Sequence, residues 1–131
     1  MTTASRLSVN GTGAATGAGA GKAEEIVSRF NAAWGAHDLA AALALLSDDC
    51  VFESTSPPDG QCYGGRRAIR AAWQPIFDDQ ASRFTVEDSF AAGARVVQRW
   101  RYDWDGGHVR GIDLFTVRRG LIIEKIAYVK G

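Results

Sequence analysis

The chain has 131 residues, enough for one domain that buries about two-thirds of the surface its unfolded chain exposes. Fifteen Lys and Arg balance fifteen Asp and Glu, which argues against partners held by bulk charge, such as nucleic acid or an anionic membrane. Cys50 and Cys62 are too few for a disulfide framework and no apolar stretch has the length of a membrane span, so a reducing, cytoplasmic setting is expected.

Met1 to Gly21 is mostly Gly, Ala, Thr and Ser, with Leu7 and Val9 as scattered apolar side chains. Such a stretch buries too little to offset its ordering entropy, and it lacks the apolar core of a secretory signal. Residues 1–21 are therefore expected to be a disordered tail and residues 22–131 a single domain. Ile26, Phe30, Ala33 and Trp34 recur at helical spacing, with Glu24 and Glu25 in the first turn, where the helix dipole favours acids. Gly35-Ala36-His37 ends that helix. Asp38 caps a second one over 39–46, with Leu39, Leu43 and Leu46 as its buried stripe. Cys50-Val-Phe-Glu-Ser-Thr is a short strand, and the two prolines and Asp-Gly of Ser56-Pro-Pro-Asp-Gly-Gln make a loop. A third helix follows Gly64-Gly65, carrying Ile69, Trp73, Ile76 and Phe77 on one face, with a kink expected at Pro75.

Two strands come next, around 84–90 and 95–104, followed by a turn at Asp105-Gly106-Gly107. Its centre is either Asp105-Gly106 or Gly106-Gly107, and in both cases Trp100, Tyr102 and Trp104 share a face with Asp113. The β-branched runs 109–117 and 121–129 then flank Arg118-Arg119-Gly120, which predicts a hairpin with a three-residue loop and Gly120 in the left-handed region. In that register Val117 faces Leu121, Phe115 faces Ile123, Asp113 faces Lys125 and Gly111 faces Ala127. One hairpin face then carries Val109, Gly111, Asp113, Phe115, Ile123, Lys125, Ala127 and Val129. It is apolar apart from one carboxylate beside one amine, and Gly111 leaves a gap in it, which suits a ligand cavity.

Helices, a strand, a helix and an antiparallel meander make an α+β arrangement in which the helices cover one sheet face. Phe30, Trp34, Trp73 and Phe77 would point inward from the helices, so that all four tryptophans converge on one cavity. Packed core is the plainer reading of such a cluster. For Asp113 and Lys125, pairing favours both charged forms. The pair then serves either as acid/base machinery or as a buried structural ion pair that fixes strand register; a Schiff-base role for Lys125 is a remote third reading.

The segments Phe30-Asn-Ala-Ala-Trp-Gly-Ala-His-Asp-Leu, Leu46-Ser-Asp-Asp-Cys-Val-Phe-Glu, Tyr63-Gly-Gly-Arg-Arg-Ala-Ile-Arg and Arg110-Gly-Ile-Asp-Leu-Phe-Thr-Val-Arg-Arg-Gly-Leu-Ile resemble the nuclear-transport-factor-two-like superfamily, in its SnoaL-like and ketosteroid-isomerase-related branch. The resemblance runs over 22–131. It implies a cone-shaped fold of three N-terminal helices on a curved, mixed, mainly antiparallel sheet. Such a fold hosts isomerases, cyclases, hydrolases, dehydratases and non-enzymatic modules, so it does not choose among functions. In the ketosteroid isomerases an acid held neutral by its apolar site donates a hydrogen bond to the developing enolate, and Asp113 matches that position. The general base falls at Ser54, beside Glu53, and the oxyanion tyrosine at Phe30, so that mechanism is not expected here. Against the epoxide hydrolases of this fold, Arg110 points away from Asp113 and no second acid joins it. The polyketide-cyclase pattern asks only for an apolar pocket and one acid/base residue, for which Asp113 is the candidate.

The predicted site is thus Asp113 and Lys125 for chemistry, with Phe30, Trp34, Phe52, Ser54, Trp73, Trp100, Tyr102, Trp104 and Phe115 around a small hydrophobic carbonyl compound. The alternative is a ligand-binding or dimeric assembly module without turnover. No cofactor is implied. His37 reads as a turn residue and His108 as exposed, and neither has partners at metal-ligand spacing. Cys62 has no cationic neighbour in sequence closer than Arg66 and is not read as reactive. The other sheet face carries Arg99, Arg101, Ile112, Leu114, Ile126 and Tyr128, too apolar for water alone. Relatives commonly pair through this face, which implies a two-fold homodimer.

Overall fold

The computed structural model describes the backbone over residues 14–131 and the side chains from residue 21 onward. Helix α1 (Ala14–Gly35) starts well before Lys22, so Glu24 and Glu25 lie exposed within the helix and not in its first turn. The rest of the expected tail, residues 1–13, lies outside the described residues. The apolar stripe of α1 is buried through Ile26, Val27, Phe30 and Ala33. His37, at φ 57, turns the chain, and its ring nitrogens lie 3.2 and 3.1 Å from the carbonyl oxygens of Phe77 and Ser82. The turn is thereby tied to the last turn of the third helix and to the segment after it.

Asp38 caps α2 (Leu39–Ala44) by accepting from the Ala41 N–H at 3.1 Å. This helix is shorter than predicted. Leu46, expected to close its stripe, instead opens strand β1 (Leu46–Glu53) and is wholly buried there. A short antiparallel strand, β2 (Cys62–Gly64), pairs with β1 directly after the proline-containing loop. Helix α3 (Arg66–Asp78) buries Ile69, Trp73 and Phe77 on one face, with Ile76 half-buried and Pro75 in its last turn.

A meander follows: β3 (Arg83–Ala92), β4 (Arg95–Trp104), β5 (Gly107–Arg118) and β6 (Leu121–Val129). The sheet has the order β2-β1-β6-β5-β4-β3, with β1 and β6 parallel and the other pairs antiparallel. Trp104 pairs with Gly107, so Asp105-Gly106 is the turn centre, and Trp100, Tyr102 and Gln98 sit opposite Gly111, Val109 and Asp113. α1 lies across β3 to β6 and α3 across β1 and β2, all on the face that carries Asp113.

The β5–β6 hairpin departs from its predicted register. Arg118 pairs with Leu121 around Arg119 and Gly120, whose φ values of 54 and 77 make a two-residue turn with both centres left-handed. A bulge then falls between Thr116 and Val117, after which Asp113 faces Ala127 and Phe115 faces Lys125. Two one-residue shifts add to two. Side-chain parity therefore survives everywhere except beside the turn, where Ile122 is buried in place of the expected Ile123.

Candidate functional site

A cavity of about 340 Å³ lies between the helices and the inner sheet face, within the ~300–1,000 Å³ typical of ligand sites. Phe30 and Trp34 reach it from α1, Phe52 from β1 and Ser54 from just beyond that strand. Trp100 and Tyr102 reach it from β4, Asp113 from β5 and Lys125 from β6. Other residues of the predicted site lie elsewhere. Trp73 and Phe115 are wholly buried behind the wall, each packed edge-on against Phe30 at a ring separation of 5.6 Å. Trp104, last in its strand, is 39% exposed, packs on Tyr102 at 6.0 Å and lies outside the cavity lining. Nor is Gly111 a gap. A Cβ there would meet the Trp100 ring at 2.7 Å (Cη2) and the Tyr128 carbonyl oxygen even closer, because the indole of Trp100 occupies the space that the missing side chain leaves.

Among the described residues lining the cavity, Asp113 and Lys125 alone are charged. Their side chains are 2% and 7% exposed, and the Lys125 Nζ donates to Asp113 Oδ1 at 3.2 Å. They are diagonal neighbours across the hairpin, a reach that a lysine stem covers easily. The ammonium sits 5.0 Å from the centre of the Phe52 ring, 5.4 Å from Trp34 and 5.8 Å from both Trp73 and Phe115. These distances suit cation–π attraction. Trp73 and Phe115, expected against a ligand, thus enclose the lysine.

The carboxylate has a second donor. Gln98, fully buried, gives Nε2–H to Asp113 Oδ2 at 3.1 Å, and exchanges amide hydrogen bonds with Asn31 of α1 at 2.8 and 3.1 Å. Asp113 therefore accepts on both oxygens, from a cation on one and a neutral amide on the other, and each oxygen keeps a lone pair. Gln98 was legible in principle: it precedes Trp100 by two, and an Asp105-Gly106 turn sets it opposite Asp113. Asn31 carries no such signal.

The rim is polar. Ser54, Thr55 and Ser56 border the opening with Tyr63 and Tyr102. Ser54 Oγ accepts from the Gln61 N–H at 3.0 Å, while the Ser54 N–H donates to the Gln61 carbonyl at 2.9 Å. This serine closes the 54–61 loop; it has no general-base geometry. The indole N–H groups of Trp73 and Trp100 are buried without an acceptor among the described residues. Buried donors normally carry a partner. Cys50 of β1 is buried, and burial first, then the Asp49 and Glu124 charges, pushes its thiol up to about 12; it is no nucleophile at neutral pH. Arg110 pairs with Glu87 on the outer face, its Nε donating to Oε1 at 3.2 Å, away from Asp113.

Three helices on one face of a mixed sheet, over a cavity with one buried ion pair, define an α+β cone of the nuclear-transport-factor-two-like kind. Within that fold the chain belongs to the SnoaL-like domain family, whose model matches residues 27–125. A nuclear-transport-factor-two-like protein of unknown function from Mesorhizobium loti is 42% identical, with a TM-score of 0.79 over 86% of this chain and 93% of that one. A presumed polyketide cyclase from Xanthomonas campestris pv. campestris (22% identity, TM-score 0.69, 86% and 93% covered) has the same fold. So does a presumed ketosteroid isomerase from Kribbella flavida (14%, 0.73, 86% and 80%). No curated protein is similar enough to match the chain.

Proposed function

We propose that the protein is an enzyme that enolises a small, neutral, largely hydrophobic carbonyl compound, as an isomerase, cyclase or lyase of the SnoaL-like kind. The observation that carries this reading is the Asp113–Lys125 pair on the wall of an aromatic cavity. A carboxylate held by two donors is a base in an otherwise apolar site. It takes the proton α to the carbonyl, the C–H electron pair moves into the enolate, and the negative charge grows on the oxygen. Lys125 has N–H donors beyond the one it gives to Asp113 and can meet that charge. The enolate then attacks a second carbonyl of the same molecule or is reprotonated at another carbon. Because the two charges on the lining cancel, the pocket favours a neutral ligand. The chemistry calls for no cofactor.

The test uses 2-tetralone, a neutral bicyclic ketone, with NMR following exchange of its α-protons in D₂O. The wild-type protein accelerates exchange. Asp113→Asn loses at least 100-fold of that acceleration, on the order of what a positioned base contributes, yet still quenches tryptophan fluorescence on binding the ketone. Exchange retained in Asp113→Asn would remove the proposed base. One observation favours a second reading, a binding module without turnover: the ring-enclosed lysine is the geometry of a static ion pair. In that case the ketone binds and no exchange is accelerated.

We further propose a cytoplasmic homodimer joined through the outer sheet face. No helix among the described residues is long and apolar enough to cross a membrane. Phe90, Ile112 and Tyr128 are 54, 39 and 59% exposed on that face, an apolar surface that a partner copy would cover. Sedimentation at micromolar concentration should give twice the chain mass; a monomer there would count against the dimer.

A further inference from the structure

Resting on the reading of Asp113 as a base, we infer that Gln98 and Asn31 form a positioning couple that holds the Asp113 carboxylate at the angle its chemistry needs. Neither residue lines the cavity, so neither is a catalytic residue. The geometry allows one arrangement. Gln98 has two amide hydrogens, one placed on Asp113 Oδ2 at 3.1 Å and the other on Asn31 Oδ1 at 3.1 Å. Its own oxygen accepts from Asn31 Nδ2 at 2.8 Å. Were Gln98 flipped, its carbonyl would face a carboxylate, and the Asn31 pairing would be lost unless Asn31 flipped too. Both amides are therefore locked, with the reciprocal pair between them acting as a clip.

The couple joins two elements that otherwise meet only through apolar packing at this point. Asn31 belongs to α1 and Gln98 to β4, so the position of the helix is read out at the carboxylate through three hydrogen bonds. Lys125 fixes Oδ1 and Gln98 fixes Oδ2. With one of these removed, the carboxylate is free to rotate about its Cβ–Cγ bond, and its remaining lone pairs no longer point at one place in the cavity. Amides neither release nor take up a proton at working pH, so the couple orients the base without competing for the proton that the base takes. A buried Gln without a role would be an expensive choice at a fully covered strand position, where an apolar side chain would pack without a polar group to satisfy.

The experiment measures 2-tetralone exchange in wild type, Gln98→Leu, Asn31→Ala and Asp113→Asn. Asp113→Asn is then compared with Asp113→Asn/Gln98→Leu. Gln98→Leu should lower kcat roughly tenfold to a hundredfold, the scale of a misplaced catalytic group, with KM unchanged because the lining is intact. Asn31→Ala, on the half-buried surface of α1, should fold normally and lower kcat by a smaller factor. In the Asp113→Asn background Gln98→Leu should have no further effect. A purely structural glutamine would lower the residual rate there as well, and that result would overturn the proposal. Full kcat in both Gln98→Leu and Asn31→Ala would overturn it too, leaving the base reading intact.

A second measurement needs no turnover. The side-chain amide ¹⁵N–¹H signals of Gln98 and Asn31 should both move in Asp113→Asn, since Gln98 donates to Oδ2 and Asn31 is bonded to Gln98. If exchange by the wild type proves independent of Asp113 while both signals move, the base reading fails and the coupling to the carboxylate stands. If neither signal moves, the positioning couple fails whatever the turnover.

Discussion

The two faces of the one sheet handle charge in opposite ways. On the inner face a single acid and a single amine are buried almost completely, 3.2 Å apart, among aromatic rings. On the outer face of the single chain Arg99–Asp88, Arg101–Asp103 and Arg110–Glu87 are all open to water. Strand periodicity sends neighbouring positions to opposite faces, as Gln98 beside Asp113 and Arg99 on the outer face illustrate. What differs is the solvent. Water screens the outer pairs and competes for their hydrogen bonds, so each adds little. Inside, the ion pair carries a large desolvation cost offset only by good geometry. The inner pair is thus weak evidence of stability and better evidence of a site, while breaking it is costly.

The largest effect should come from splitting that pair. Lys125→Met leaves the Asp113 carboxylate buried beside Gln98 alone, and should destabilise by about 3–5 kcal/mol, read as a lower urea midpoint. Adding Asp113→Asn should recover much of the loss, since the uncompensated charge goes with it. A single-variant loss as small as that of an outer pair would erase the contrast between the faces. Next in size is Gly111→Ala. The new methyl group meets the Trp100 ring and the Tyr128 carbonyl oxygen, and the second contact is backbone that cannot rotate away. About 1–3 kcal/mol of destabilisation is expected, together with a changed tryptophan emission as the Trp100 indole moves.

Much of this contrast was legible in the amino-acid sequence, because it rests on period two. Alternation alone put Asp113, Lys125, Trp100 and Tyr102 on one face and Arg110 on the other. The pairing partners were not legible. They depend on Arg119 accepting a left-handed φ of 54 and on a bulge at Thr116/Val117, and no residue type announces either. The ion pair survived the error because a lysine reaches a diagonal neighbour as readily as an opposite one. The tryptophans misled for a different reason. Parity gives a face but no depth, so it could not tell Trp34, on the cavity wall, from Trp73, behind it, or from Trp104, past its mouth. The start of α1 was hidden by a Gly/Ala-rich stretch whose composition reads as tail, and Asn31 by the lack of any pattern that separates a half-buried helix amide from a solvated one.

The smallest effect should come from the outer face. The Arg110 hydrogen bond, and then its charge, hold the Glu87 carboxyl below the ordinary glutamate value of 4.5. A carboxyl lowered on folding adds stability that is present above its unfolded value and is lost as pH falls through its folded one. Arg110→Gln should therefore shift the urea midpoint slightly at neutral pH and not at all once Glu87 is protonated, on the acid side of 4.5. Raising the salt concentration at neutral pH should shrink the same small difference, since both side chains reach water. A salt-insensitive shift at neutral pH as large as that of Lys125→Met would mean that this pair is covered in solution, as it would be if Arg110 and Glu87 lay inside the interface of the proposed dimer.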